Sequence, residues 1–236
     1  MLIAMALTLF SSQHARAHFP WLVVAEDANA VLFFGESPAD RAYKLPESLA
    51  DAKVYCVDTQ GTRTDVPLQA TETEKLIGLV SEKPVDRAAQ LRSEVTYGVY
   101  HGMLLKYYLA HYGAELPKEL PASVPAATDG ERDAVTAKPT ALQAQLAKSA
   151  DGLAVRVTWQ GKPLQNAKVQ LFADDGRETA SAQTNAEGQV SFANSKLGSP
   201  QCFLLVGNTI KNDSGTYEDV PYTSSAHYLT VSFGKN

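Results

Sequence analysis

Short apolar runs separated by turn-forming residues dominate the chain from residue 21 onward. WLVV, AVLFF, AKVYCV, KLIGLV, VTYGVYH and LLKYYLAHY follow one another as far as residue 112. Each is too short for a membrane helix and rich in β-branched or aromatic residues. Gly35-Glu36-Ser37-Pro38, Gln60-Gly61 and Glu82-Lys83-Pro84 punctuate them, the spacing of an antiparallel sandwich. Residues 47–52 and 86–92 are helix-friendly in composition but have room only for single turns. Over residues 113–138 no apolar period persists, and Pro117, Pro121 and Pro125 stand among Ala, Glu, Lys and Asp, so this stretch reads as a linker or a surface crossing. Alternation then resumes. Leu153, Val155, Val157 and Trp159 share one face while Arg156, Thr158 and Gln160 share the other. Gly161-Lys162-Pro163, Asp174-Asp175-Gly176 and Thr184-Asn185-Ala186-Glu187-Gly188 mark the following turns. The pattern predicts an all-β protein of two β-sandwich domains, over 18–112 and 139–236.

The first residues read differently. LIAMALTLF over 2–10 is an apolar run, and Ala15-Arg16-Ala17 places small residues where a signal peptidase reads them, so 1–17 is expected to be a secretory signal. Its removal takes Arg16 away and leaves 20 basic against 26 acidic side chains, which excludes a basic nucleic-acid footprint. The expected location is periplasmic or otherwise exported, with no membrane insertion after processing. Two cysteines, Cys56 and Cys202, are too few for a disulfide framework; they could pair across the halves of an exported chain or lie separately buried in strands.

Processing after Ala17 would also leave His18 with a free α-amine beside its imidazole, which is a ready-made metal chelate. A two-residue or three-residue site needs further imidazoles, and the processed chain offers His101, His111 and His227. Strand alternation places His101 with Tyr97 and Val99, and His227 with Leu229, Val231 and Phe233. Both are expected to face an interior or a seam between the domains, as ligands or as hydrogen-bonded core residues. His111, just before Gly113, is expected at a strand end or the surface and ranks last. Imidazole and amine donors without a thiolate suit nickel, cobalt, copper or zinc, copper most tightly. The chain has no HExxH, GxSxG, P-loop or CxxC motif. The acid pairs Glu72/Glu74, Asp174/Asp175 and Glu218/Asp219 sit in polar contexts that suit a solvated surface. Residues 212–215 and 218–219 lack EF-hand spacing and read as a loose loop, and the tyrosines at 97, 100, 107, 108 and 112 read as core and edge packing.

GKPLQNAKVQLF, TNAEGQVSF and HYLTVSF resemble the transthyretin-like, carboxypeptidase-regulatory-like sandwich module. Taken with HFPWLVV, FFGESPADRAY and VTYGVYHGMLLKYY, the processed chain resembles the exported bacterial family catalogued as domain of unknown function 4198, in the branch found in planctomycete-type bacteria. That resemblance implies a transthyretin-like or Ig-like second domain and an accessory role in nickel or cobalt uptake, with a membrane metal transporter as partner. It also implies a histidine near the processed start. The function expected is therefore a non-catalytic, exported transition-metal carrier whose ligands are His18, His101 and His227. The rival reading is a structural or adhesive β-sandwich whose loops, the one over 212–222 included, bind a protein or a glycan. A copper-dependent oxidase built on the same histidine is a third, weaker reading.

Overall fold

The computed structural model describes residues 17–58, 62–113, 115–121, 141–148 and 150–234. The signal expected over 1–17, apart from Ala17, and most of the linker lie outside them. The first half contributes β1 (Phe19–Val24), β2 (Ala30–Gly35), β3 (Val54–Val57), β4 (Arg63–Val66), β5 (Leu68–Glu72), β6 (Ile77–Ser81), β7 (Gln90–Tyr100) and β8 (Met103–Tyr112). The second contributes β9 (Leu142–Lys148), β10 (Gly152–Trp159), β11 (Lys162–Pro163), β12 (Lys168–Ala173), β13 (Glu178–Gln183), β14 (Gln189–Ala193), β15 (Gln201–Ile210), β16 (Gly215–Tyr217), β17 (Val220–Tyr222) and β18 (Ser224–Gly234). One helical turn, α1 (Glu47–Ala50), falls within the helix-friendly stretch at 47–52. At 86–92 no helix forms, because residues 86–89 make a turn closed by the Ala89 N–H on the Asp86 carbonyl and β7 begins at Gln90.

The fold is all-β, with sheets packed face to face. Its centre is an eight-stranded sheet of order β13-β12-β15-β18-β8-β7-β3-β4. The order crosses from one half of the chain to the other where β18 pairs with β8 in parallel, in register from Ser224↔Met103 to Phe233↔Tyr112. The two halves divided in sequence at 113–138 are thus joined by main-chain hydrogen bonds. A small sheet covers each face. On one side the sheet β1-β2-β6-β5 packs its Trp21, Leu32 and Phe33 against Leu91, Leu109 and Phe203. On the other, β9, β10 and β14 pack Leu142, Val155 and Phe192 against Leu171, Leu204 and Val231. In β15, Cys202, Leu204 and Val206 point into the second core and Phe203 and Leu205 into the first. A strand sandwiched between two cores has no polar face, so CFLLV is apolar without interruption. Trp21, Phe33, Phe203 and Phe233 are all buried to within 1% exposure, and each such ring contributes about 2–3 kcal/mol from burial.

β1 is an edge strand, and its free carbonyls are capped from the sheet beneath it. The Thr230 hydroxyl donates to the Pro20 carbonyl at 2.7 Å, and the Ser232 hydroxyl donates to the Leu22 carbonyl. These two bonds tie β1 to β18 and fix the position of the residue that precedes it, His18. The two cysteines belong to different cores, Cys202 buried with Leu204 in the second and Cys56 at the margin of the first, and no disulfide joins them.

Candidate functional site

His18 stands at the head of β1, where the register Phe19↔Gly35 brings the next residue out, Glu36, alongside it. The His18 Nε2 lies 3.9 Å from the Glu36 Oε1, an ion-pair distance longer than a hydrogen bond. The ring rests on Tyr43, centroid to centroid 3.9 Å, and stacks 5.8 Å from Phe34 at 24°. With Nε2 turned to a carboxylate, Nδ1 is the nitrogen on the side of its own backbone. The loop carrying Glu36 is folded tightly: its N–H donates to the Asp40 Oδ2 at 3.2 Å and the Asp40 N–H donates to the Ser37 carbonyl at 3.1 Å. Gly35 permits this, since a Cβ there would stand 2.0 Å from the Asp40 carbonyl oxygen.

A cleft of about 900 Å3 opens beside His18. Ala17, His18, Phe34 and Tyr43 form one end, α1 and the segment before it supply Lys44, Leu45 and Glu47, and Tyr97, Tyr107 and Tyr228 form the floor from the central sheet. Their rings run on as one surface: Phe34 stacks on Tyr97 at 6.1 Å and 18°, Tyr97 meets Tyr107 edge-on, and Tyr107 stacks on Tyr228 at 6.0 Å and 30°. Tyr97 reaches the floor through a β-bulge. The β7–β8 register jumps from Thr96↔Lys106 to Gly98↔Leu105, which leaves Tyr97 as the extra residue, and Gly98 takes φ +122° to absorb the distortion. The neighbours Tyr107 and Tyr108 part company. The Tyr108 hydroxyl is satisfied on the opposite face by His227, whereas Tyr107 lines the cleft. Burial pushes the Tyr107 phenol well above the usual range and raises that of Tyr228, so both remain protonated donors.

The three histidines expected to act together are separated. His101 lines the same cleft as His18 but from its rim, in the two-residue turn closed by the pair Tyr100↔Met103. His101 and Gly102 take φ +49° and +75°, the left-handed pair of a type I′ hairpin turn, and the His101 side chain is exposed. The expectation that it faces the interior with Tyr97 and Val99 fails for that reason, since alternation ends where the strand ends.

His227 is on the far side of the central sheet. Its ring is buried against Trp159 at 4.4 Å and both nitrogens are engaged, Nδ1 at 3.0 Å from the Tyr108 hydroxyl and Nε2 at 3.0 Å from Ser225 Oγ. Ser225 in turn donates to Asp213, so the chain is satisfied when Tyr108 donates to Nδ1 and Nε2–H donates to Ser225. The imidazole is held neutral; burial, with the Lys106 charge adding to it, pushes its pKa down to about 4. His227 is therefore a core residue and cannot join His18. His111, expected at the surface, is 4% exposed: its Nδ1 lies 2.8 Å from Ser232 Oγ and burial, then the Arg92 charge, lowers its pKa to about 4. β1, anchored by that same serine, covers it. No group of three or more His, Cys, Asp or Glu able to hold a metal is present among the described residues. Of the residues expected in a loose loop, at 212–215 and 218–219, Gly215 begins β16, and Glu218 and Asp219, both with positive φ, form the turn of the hairpin made by β16 and β17.

Sequence reasoning missed Glu36, Tyr43 and the cleft itself. The GESP turn was legible, but the proximity of its glutamate to His18 depends on the β1–β2 register.

No family model matches the chain, and no curated protein matches it. Among solved structures, native alpha-2-macroglobulin from Escherichia coli spanning domains MG0-NIE-MG1 is similar at 10% identity and a TM-score of 0.25, over 78% of this chain and 91% of that one. A likeness at that level assigns no function.

Proposed function

We propose that this protein is an exported binding protein that carries a transition-metal ion as cargo, held by the α-amine and Nδ1 of His18 once the chain is cut after Ala17. The observation that carries the reading is the placement of His18. His18 lies at the end of an open cleft, and its Nε2 faces the Glu36 carboxylate. Metal-bound imidazoles commonly turn their second nitrogen to a carboxylate, which orients the ring and raises its basicity. Amine and imidazole nitrogens bind an ion in their deprotonated forms, so binding releases protons. Among the described residues, His101 also lines the cleft, whereas the buried His227 has no part in the reading. The motif resemblance to domain of unknown function 4198 proteins points the same way. An accessory role beside a membrane metal transporter follows from that resemblance alone.

The test is metal titration of protein beginning at His18 beside protein carrying one extra residue, Ala17, at its N-terminus. The first is expected to bind Cu(II) or Ni(II) far more tightly, and Glu36→Gln to weaken that binding about tenfold. Equal affinity with and without Ala17 would overturn the proposal.

A further inference from the structure

The cleft is far larger than an ion requires. At about 900 Å3 it reaches the size of sites that enclose small organic molecules. Its floor is a run of aromatic faces, among them Tyr107, whose phenol is a hydrogen-bond donor. At the other end, His18 can offer an ion only its amine and one imidazole nitrogen, and no cluster of three donor side chains surrounds it among the described residues. Transition ions of this class take four or more donors, so at least two positions remain for something other than the protein.

These observations meet in one ligand. We infer that the cargo enters as a complex, the ion bound to a flat, ring-bearing organic chelator with oxygen acceptors, whose ring lies on Tyr97, Tyr107 and Tyr228 while His18 completes the coordination. The inference rests on the metal-cargo reading, and assigns to the cleft the part of the ligand that the protein's own donors leave out. The Tyr107 hydroxyl donates to a chelator oxygen, Tyr228 and Tyr97 supply ring faces, and Lys44 and Glu47 at the mouth meet solvent-facing polar groups. No bond is made or broken in the ligand; the ion exchanges two solvent donors for two from His18.

The experiment compares two 1:1 copper complexes with the same donor atoms, Cu(II)–quinoline-2-carboxylate and Cu(II)–glycinate, on protein beginning at His18. Only the first carries a flat ring, and the aromatic contacts are expected to make it bind about tenfold more tightly. Tyr107→Phe and Tyr228→Leu are expected to erase most of that preference while leaving the affinity for aqueous Cu(II) unchanged, which also verifies that the variants fold. Equal binding of the two complexes by a protein that still holds aqueous Cu(II) through His18 would overturn this inference and leave the metal reading standing. Copper binding that ignores the extra Ala17 would remove the metal reading itself. Binding of free quinoline-2-carboxylate with no dependence on copper would overturn the complex in favour of a purely organic ligand.

Discussion

Two neutral histidines are locked into this fold on opposite faces of the central sheet, and acid should therefore dismantle it. In the folded protein His111 and His227 have pKa values near 4, against 6.5 for an unburdened imidazole. Between those values the unfolded chain binds protons that the folded chain refuses, so stability is fully present above pH 6.5 and falls as pH drops toward 4. At pH 5 each ring contributes a loss of about 2 kcal/mol relative to pH 8, and the pair about 4, a large part of the 5–15 kcal/mol typical of a folded domain. The two networks lie in separate cores, so their contributions should be close to additive. The assay is urea unfolding followed by tryptophan fluorescence at half-unit steps from pH 8 to pH 4.5. Carboxylates also titrate at the acid end, so the histidine part is isolated by repeating the series on His111→Gln and on His227→Gln. Each variant is expected to be less stable at pH 8 but to lose about 2 kcal/mol less than the parent on going to pH 5. A parent whose stability is level from pH 6.5 to 5, or variants with the parent's slope, would show that these imidazoles are not held neutral.

Ser232→Ala removes the hydroxyl shared by the Leu22 carbonyl and the His111 ring. Two buried polar groups lose their partner, and an unfolding free energy lower by about 2–4 kcal/mol is expected from denaturant curves. A loss below half a kcal/mol would mean that β1 is held by packing alone. Gly35→Ala forces a methyl against the Asp40 carbonyl, which is main chain and cannot swing away. Thermal melts should fall by several degrees and metal affinity should drop with them, because the loop presenting Glu36 must shift; an unchanged melt would contradict the close approach.

Much of this architecture is written in local pattern. The alternation from Leu153 to Trp159, the apolar stretch at 202–206 and the turn residues at 174–176 and 184–188 identify strands, hairpins and an all-β class, because a pleated strand repeats every two residues and few side chains tolerate tight turns. The face of His227 also follows from its neighbours Leu229 and Val231. Alternation says nothing, however, about which strand lies alongside. His111 is buried because Ser232 and β1 come from opposite ends of the chain to cover it. His101 is exposed because a two-residue turn outranks the strand period, and Tyr97 is aimed into the cleft by a bulge that breaks the period outright. The parallel pairing of β8 with β18, the meeting of His18 with Glu36 and the aromatic floor beneath them are contacts between segments far apart in sequence. Register and sheet order decide such contacts, and both are set by the packing of the whole molecule, so only the tertiary structure could supply them.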